Sequence, residues 1–159
     1  MGALSLKPVV GLFGTCGNSK WREDVAIPLL VAAGVEYFNP VVADWNDQAM
    51  EREADHGKTD KVILMVITGE TTAFASLAES GWLALRALQS GQKVVIVLQD
   101  MAEGDEPKKD EKGGSFTPNK TRKVLRKHIA ALPAEVQQCV CLCDDVSLAA
   151  QKAIELLKA

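Results

Sequence analysis

At 159 residues, 47% of them hydrophobic and 25% charged, the chain has the make-up of a soluble globular protein long enough to bury one core. A formal net charge of −3 and a pI near 5.4 provide no overall basic field, so neither nucleic acid nor an anionic membrane is an expected partner. A small ligand, neutral or locally recognised, fits better, and one domain spanning 1–159 is expected.

The first element in chain order is the apolar run Pro8–Gly14, "PVVGLFG", of strand length and ending in glycine. It leads into "TCGNSKWRE", where Gly14 and Gly17 allow close backbone approach and the helix start near Ser19 offers free N–H groups. That turn suits either a plain tight bend or a loop against a ligand, and its spacing matches neither a dinucleotide fingerprint nor a P-loop. The helix after Ser19 holds Pro28, which predicts either a kink or two pieces with Pro28 in the first turn of the second. A second strand is predicted over Val35–Val42; just past it stand Asp44 and Trp45, an acid and an aromatic face able to address a flat ring.

"KVILMVIT" (Lys61–Thr68) and "KVVIVL" (Lys93–Leu98) are continuous apolar runs, the pattern of strands covered on both faces. Between them a helix is predicted from Phe74 to a stop at Gly91, with Phe74, Leu77, Ala78, Gly81, Trp82, Leu85 and Leu88 as the packing stripe. At 100° per residue Ser76 and Glu79 fall about 60° apart, off that stripe and within two turns of the strand end. A Ser-x-x-Glu at a helix start suits capping and the helix dipole as well as catalysis.

The charged, Gly/Pro-rich stretch 102–120 has no period and reads as a mobile loop or lid. The basic segment Lys120–His128 reads as a solvated helix face, with a phosphate or nucleic-acid contact as the alternative. "CVCLC" closes the strand series. Strand alternation would put Cys139, Cys141 and Cys143 on one face as reduced, structural thiols, and nothing supplies zinc spacing. A last helix is predicted from an N-cap at Ser147, with Ala150, Ala153, Ile154 and Leu157 as its stripe. The N-terminus lacks the basic start and apolar core of a signal peptide and no run reaches membrane-spanning length, so the expected location is cytoplasmic.

Five strands alternating with helices give an α/β, flavodoxin-like, doubly wound fold: a five-stranded parallel sheet with helices on both faces. Ligands of such folds bind where loops leave the carboxyl ends of the strands. Three strand ends carrying a glycine loop, an Asp-Trp pair and a glutamate converge there.

Taken together, "GTCGNSKWRE", "IPLL", "YFNPVVADW", "VILMVIT" and "FASLAES", between Gly11 and Val97, resemble the nucleoside 2-deoxyribosyltransferase-like family, in particular its smaller bacterial and phage branch. The resemblance implies chemistry at an N-glycosidic bond with Glu79 as the nucleophile on the anomeric carbon and Asp44 as the acid that protonates or orients the leaving base. It places Gly14, Thr15, Cys16, Gly17, Asn18, Trp21, Arg22, Trp45, Thr68 and Ser76 against a nucleoside or nucleotide, with Ser76 on the sugar or a 5′-phosphate. A homo-oligomer is implied, and neither a cofactor nor a metal. Two departures stand out. The family's nucleophile-positioning tyrosine near the first strand is missing, the only tyrosine being Tyr37, and the third strand ends in Thr68-Gly69-Glu70, where Glu70 is a stand-in for an acid facing the base. Asp60 sits at the far end of that strand and reads as a cap. A non-catalytic nucleotide-binding module, and a glycohydrolase of nucleoside monophosphates or NAD-like substrates drawing on Lys20 and Arg22, are the alternatives.

Overall fold

The computed structural model describes residues 5–107 and 117–159. The central part of the 102–120 stretch read as a mobile loop, residues 108–116, therefore lies outside the described residues. Five strands, β1 (Lys7–Gly14), β2 (Tyr37–Phe38), β3 (Asp60–Ile67), β4 (Lys93–Leu98) and β5 (Val140–Cys143), form one sheet in the order β2-β1-β3-β4-β5, every pairing parallel. This is the flavodoxin-like order, and the strand order reverses between β1 and β3. Among the described residues no helix is long and apolar enough to cross a membrane.

Continuous apolar strands demand cover on both sides, and the packing supplies it. Val10, Leu12, Val62, Leu64, Val66, Val95 and Val97 face one core with α1 (Ile27–Ala32) and α6 (Val146–Lys158). Their alternating neighbours Phe13, Ile63, Met65, Ile67, Val94 and Ile96 face the other, with Leu77, Leu83 and Ala87 of α3 (Phe74–Ser90) and Ile129 of α4 (Pro118–Ala130).

Pro28 falls in the first turn of α1, and the preceding turn, Arg22–Ala26, is π-helical, so the segment is built in two pieces. Gly91 ends α3 at φ +77°.

Several expectations are corrected. The second strand is only two residues long. A helix not foreseen, α2 (Asp47–Thr59), follows it, capped by Asn46, whose Oδ1 accepts from Ala49 N–H at 3.0 Å. A one-turn α5 (Ala134–Gln137) precedes β5. α6 is capped by Asp145, not Ser147, because the carboxylate reaches Leu148 N–H at 2.8 Å. α4 begins at Pro118, inside the stretch read as loop. It is not a solvated face throughout either, since Arg122 is wholly buried.

The packing face of α3 is Leu77, Ser80, Leu83 and Ala87, whereas Phe74, Trp82, Leu85 and Leu88 are exposed. Both faces are apolar at helical spacing, so periodicity alone selects neither. Cys141 and Cys143 pack on the α1/α6 side but Cys139 on the other, because the strand starts at Val140 and alternation does not reach back through the turn. All four cysteines are free thiols, and burial pushes the Cys141 thiol up to about 11, which disfavours the thiolate.

Candidate active site

β1 ends where no side chain fits. Gly14 adopts φ +118°, and a Cβ there would lie 1.9 Å from the Val66 carbonyl oxygen, so β1 and β3 meet at a distance only glycine permits. Beyond it Thr15 is buried and ties the two strand ends together: its N–H donates to Val66 O at 2.8 Å and its Oγ1 accepts from Thr68 N–H at 3.0 Å.

The carbonyls left at this strand end are taken up by the next turn. The buried Arg22 donates from Nε to Leu12 O, from Nη1 to Thr15 O and from Nη2 to Gly14 O, at 3.1, 2.7 and 3.3 Å. Trp21 Nε1–H adds a bond to Thr15 O at 3.0 Å, and the guanidinium lies 4.3 Å over the Trp21 ring. On the other side Arg122 Nη2 donates to Thr68 O and Thr71 O, fixing the turn from β3 into α3. That turn ends at Ala73, whose φ of +54° is the only positive value at a non-glycine position among the described residues. An L-residue is strained there, and no side chain caps the helix that follows.

These elements enclose an open cavity of about 870 Å³. The β1 turn contributes Gly14, Thr15, Cys16 and Gly17; the β2–α2 loop, Pro40, Val41, Val42 and Trp45; α2, Glu53; and the α3 entry, Thr71, Ala73, Phe74, Ala75, Ser76 and Glu79. It opens at the carboxyl ends of β1 and β3, where the strand order reverses.

Seven of the residues expected to touch substrate or do chemistry are brought together in this lining: Gly14, Thr15, Cys16, Gly17, Trp45, Ser76 and Glu79. Five are not. Trp21, Arg22 and Thr68 are buried behind the wall as supports of the loop. Asn18 is exposed outside the lining. Asp44 is also exposed and outside it, with its Oδ2 accepting from the capping residue Asn46 at 3.2 Å. Glu70 accepts from Thr68 Oγ1 at 3.0 Å and does not line the cavity. Tyr37 packs against the α1/α6 core. Asp60 is fully buried at the opposite strand end, bonded to His56 Nδ1 at 2.9 Å.

Sequence reasoning missed Glu53. It lies at mid-length in α2, a helix without a broad apolar stripe; the signal was Asn46-Asp47 as a cap and first turn ahead of the helix formers in "QAMEREAD". Burial raises the pKa of its carboxyl, opposed by the Arg22 cation. The Glu79 carboxyl is pushed up to about 7, chiefly by burial and further by the Glu53 charge. Desolvation therefore outweighs the helix dipole at this position, already beyond the first turn of α3.

The crevice thus lies at the switch point of a doubly wound α/β sheet, the place where ligands of such folds bind, with carboxylates, an aromatic ring and a glycine-floored turn in its walls. The nucleoside 2-deoxyribosyltransferase like family model matches residues 7–101, more than half of the chain, and the chain belongs to that family. That match covers every element lining the cavity. No curated protein matches the chain.

Proposed function

We propose that the protein cleaves or transfers the N-glycosidic bond of a nucleoside, with Glu79 as nucleophile. Glu79 Oε attacks the anomeric carbon, the base departs with the bonding electrons, and a second base or a water takes the sugar from the resulting ester with net retention. The choice of acceptor makes the activity a transferase or a hydrolase. The observation that carries this reading is the placing of Glu79 and Ser76 on one wall of a cavity whose other walls are the Gly14–Gly17 turn and the Trp45 ring.

In this reading the base lies against Trp45, Val41 and Val42, and the sugar against Gly14–Gly17 and Ser76. Unphosphorylated nucleosides are the favoured substrates. Two carboxyls line the cavity, and the nearby Arg22 has its donors on backbone carbonyls, so the field disfavours a phosphate dianion. The chain acts as a single domain, its four free thiols suiting a reducing cytoplasm.

A homo-oligomer is part of the proposal. Phe74 lies both in the cavity lining and at the head of the exposed apolar row Phe74, Trp82, Leu85 and Leu88, so a second copy seated on that row would border the cavity.

The test is a screen for nucleobase release across nucleosides and their monophosphates, with and without an acceptor base. It is paired with trapping by a 2′-fluoro arabinosyl nucleoside and mass spectrometry of peptides covering α3. An adduct on Glu79 and a β-configured product are expected. An inverted product with no carboxylate adduct would remove Glu79 as nucleophile.

A further inference from the structure

The Glu79 carboxyl is held by no hydrogen bond of its own. Among the described residues neither a side chain nor a backbone N–H donates to it; burial and the Glu53 charge are what act on it. Its aim is therefore inherited from the backbone of α3, a helix that begins without a side-chain cap after the strained Ala73. The turn ahead of that helix is held from outside. Thr68 N–H donates to Thr15 Oγ1 at 3.0 Å, and Gly69 packs so close to Asp100 that a Cβ would lie 2.2 Å from its carbonyl oxygen. Thr68 O and Thr71 O both accept from Arg122 Nη2, at 3.0 and 2.7 Å, and Thr71 and Ala73 are part of the cavity lining. We infer that Arg122 is a positioning residue of the site: through Thr71 O it fixes the entry of α3, and with it the aim of Glu79 at the anomeric carbon. This rests on the reading of Glu79 as nucleophile, and it brings α4, which lines no part of the cavity, into the working of the site.

The setting of the arginine separates this role from that of a fold brace. α4 is anchored at the end of β4 by Asn119, which donates from Nδ2 to Met101 O at 3.0 Å and accepts from Met101 N–H at 2.8 Å. One turn further on, Arg122 meets the β3–α3 turn. Its side chain is wholly buried, yet Nε and Nη1 have no hydrogen-bond partner among the described residues. Burial disfavours the guanidinium charge; Asp100 and Glu106 favour it and Arg126 opposes it, all without a bond to it. A cation buried with donors unpaired adds little to stability, and an apolar side chain of similar length packs there at no greater cost. What an apolar chain cannot do is hold two carbonyls three residues apart from a single nitrogen. Stability and activity therefore pull apart at this position, as they do where a site is kept in a costly arrangement.

Arg122→Met, Arg122→Lys and Glu79→Gln are compared with the natural chain by melting temperature, by nucleobase release from 2′-deoxynucleosides and by amide hydrogen exchange in α3; circular dichroism verifies folding. Arg122→Met is expected to melt within about 3 °C of the natural chain. Its kcat is expected to fall about 10- to 100-fold with KM changed less than about threefold, because the nucleophile is misplaced while the binding walls stay. Exchange at the first turns of α3 is expected to quicken by about tenfold or more, with the sheet amides unchanged. Arg122→Lys keeps the charge and reaches one carbonyl at a time, so its kcat is expected to lie between the two. Loss of the fold, or a kcat that falls only in step with the melting temperature, would make Arg122 a brace of the fold and overturn the positioning role. An unchanged kcat in folded Arg122→Met would overturn it as well, and each of these results leaves Glu79 standing. Undiminished release by Glu79→Gln, or none by the natural chain, would instead overturn the nucleophile, and hydrogen exchange alone would then decide whether Arg122 holds the entry of α3.

Discussion

Arg22 Nη1 donates to the Thr15 carbonyl at 2.7 Å while Thr15 Oγ1 receives the Thr68 N–H at 3.0 Å, so a buried cation on one segment fixes the meeting point of two strands. Its other donors reach Leu12 O and Gly14 O. Arg22, which with Lys20 the sequence offers to a phosphorylated substrate, braces the cavity floor. Arg22→Lys keeps the charge but replaces a planar fork by a single ammonium, and is expected to cost about 2 kcal/mol in urea unfolding and to weaken substrate binding. Unchanged stability would show that the three carbonyls find other donors.

How much of this was legible beforehand differs by element. β1, β3 and β4 are buried on both faces, and their continuous apolar runs can hardly be read otherwise. The β1 turn and the Ser76–Glu79 pair follow from strand ends and helix geometry. What the sequence hides are choices made by tertiary contact. α3 has two apolar faces, and only the sheet selects Leu77, Leu83 and Ala87. Asp44 and Glu53 are both acids near the end of β2, yet whether a side chain reaches the cavity depends on α2, which starts at Asp47 and turns Glu53 inward. Trp21 and Arg22 sit in a motif-like dipeptide, but their hydrogen bonds run to backbone that only the folded β1 presents.

Glu79 also carries a stability cost. Its folded pKa, about 7, lies above the ordinary value of 4.5, so the folded state holds more protons than the unfolded chain between those pH values. Stability from this group is fully present below about pH 4.5 and is lost as pH rises to about 7. Glu79→Gln removes that dependence. At pH 8 the variant is expected to be more stable than the natural chain by on the order of 1 kcal/mol, after discounting for partial solvent screening, and closer to equal at pH 4.5. Matching losses of stability for both proteins across that range would show that the carboxyl is solvated.

Ala73 is held at φ +54° where α3 begins, and the uncapped first turn that follows it lines the cavity. A left-handed L-residue costs roughly 1–2 kcal/mol, and glycine returns part of that gain through its larger unfolded-state entropy. Ala73→Gly is therefore expected to raise stability by about 0.5–1 kcal/mol while lowering turnover, because the turn into Ser76 and Glu79 loosens. A rise in melting temperature with full activity would show that the strain has no part in positioning α3.

The exposed row on α3 makes its own prediction. Leu85 and Phe74 are 60% and 65% exposed, and Trp82 and Leu88 lie between and beyond them on the same side of the helix. A row of that length is costly to leave in water, and a second copy is the occupant proposed for it. Leu85→Glu puts a charge at its centre without touching the core contacts of Leu83 or Ala87. Sedimentation velocity is expected to show an oligomer for the natural chain and a folded monomer for the variant. Because Phe74 also lines the cavity, nucleobase release should fall with dissociation, and raising the protein concentration should restore it. A natural chain that sediments as a monomer at micromolar concentration would remove the oligomer from the proposal and leave each cavity to work alone.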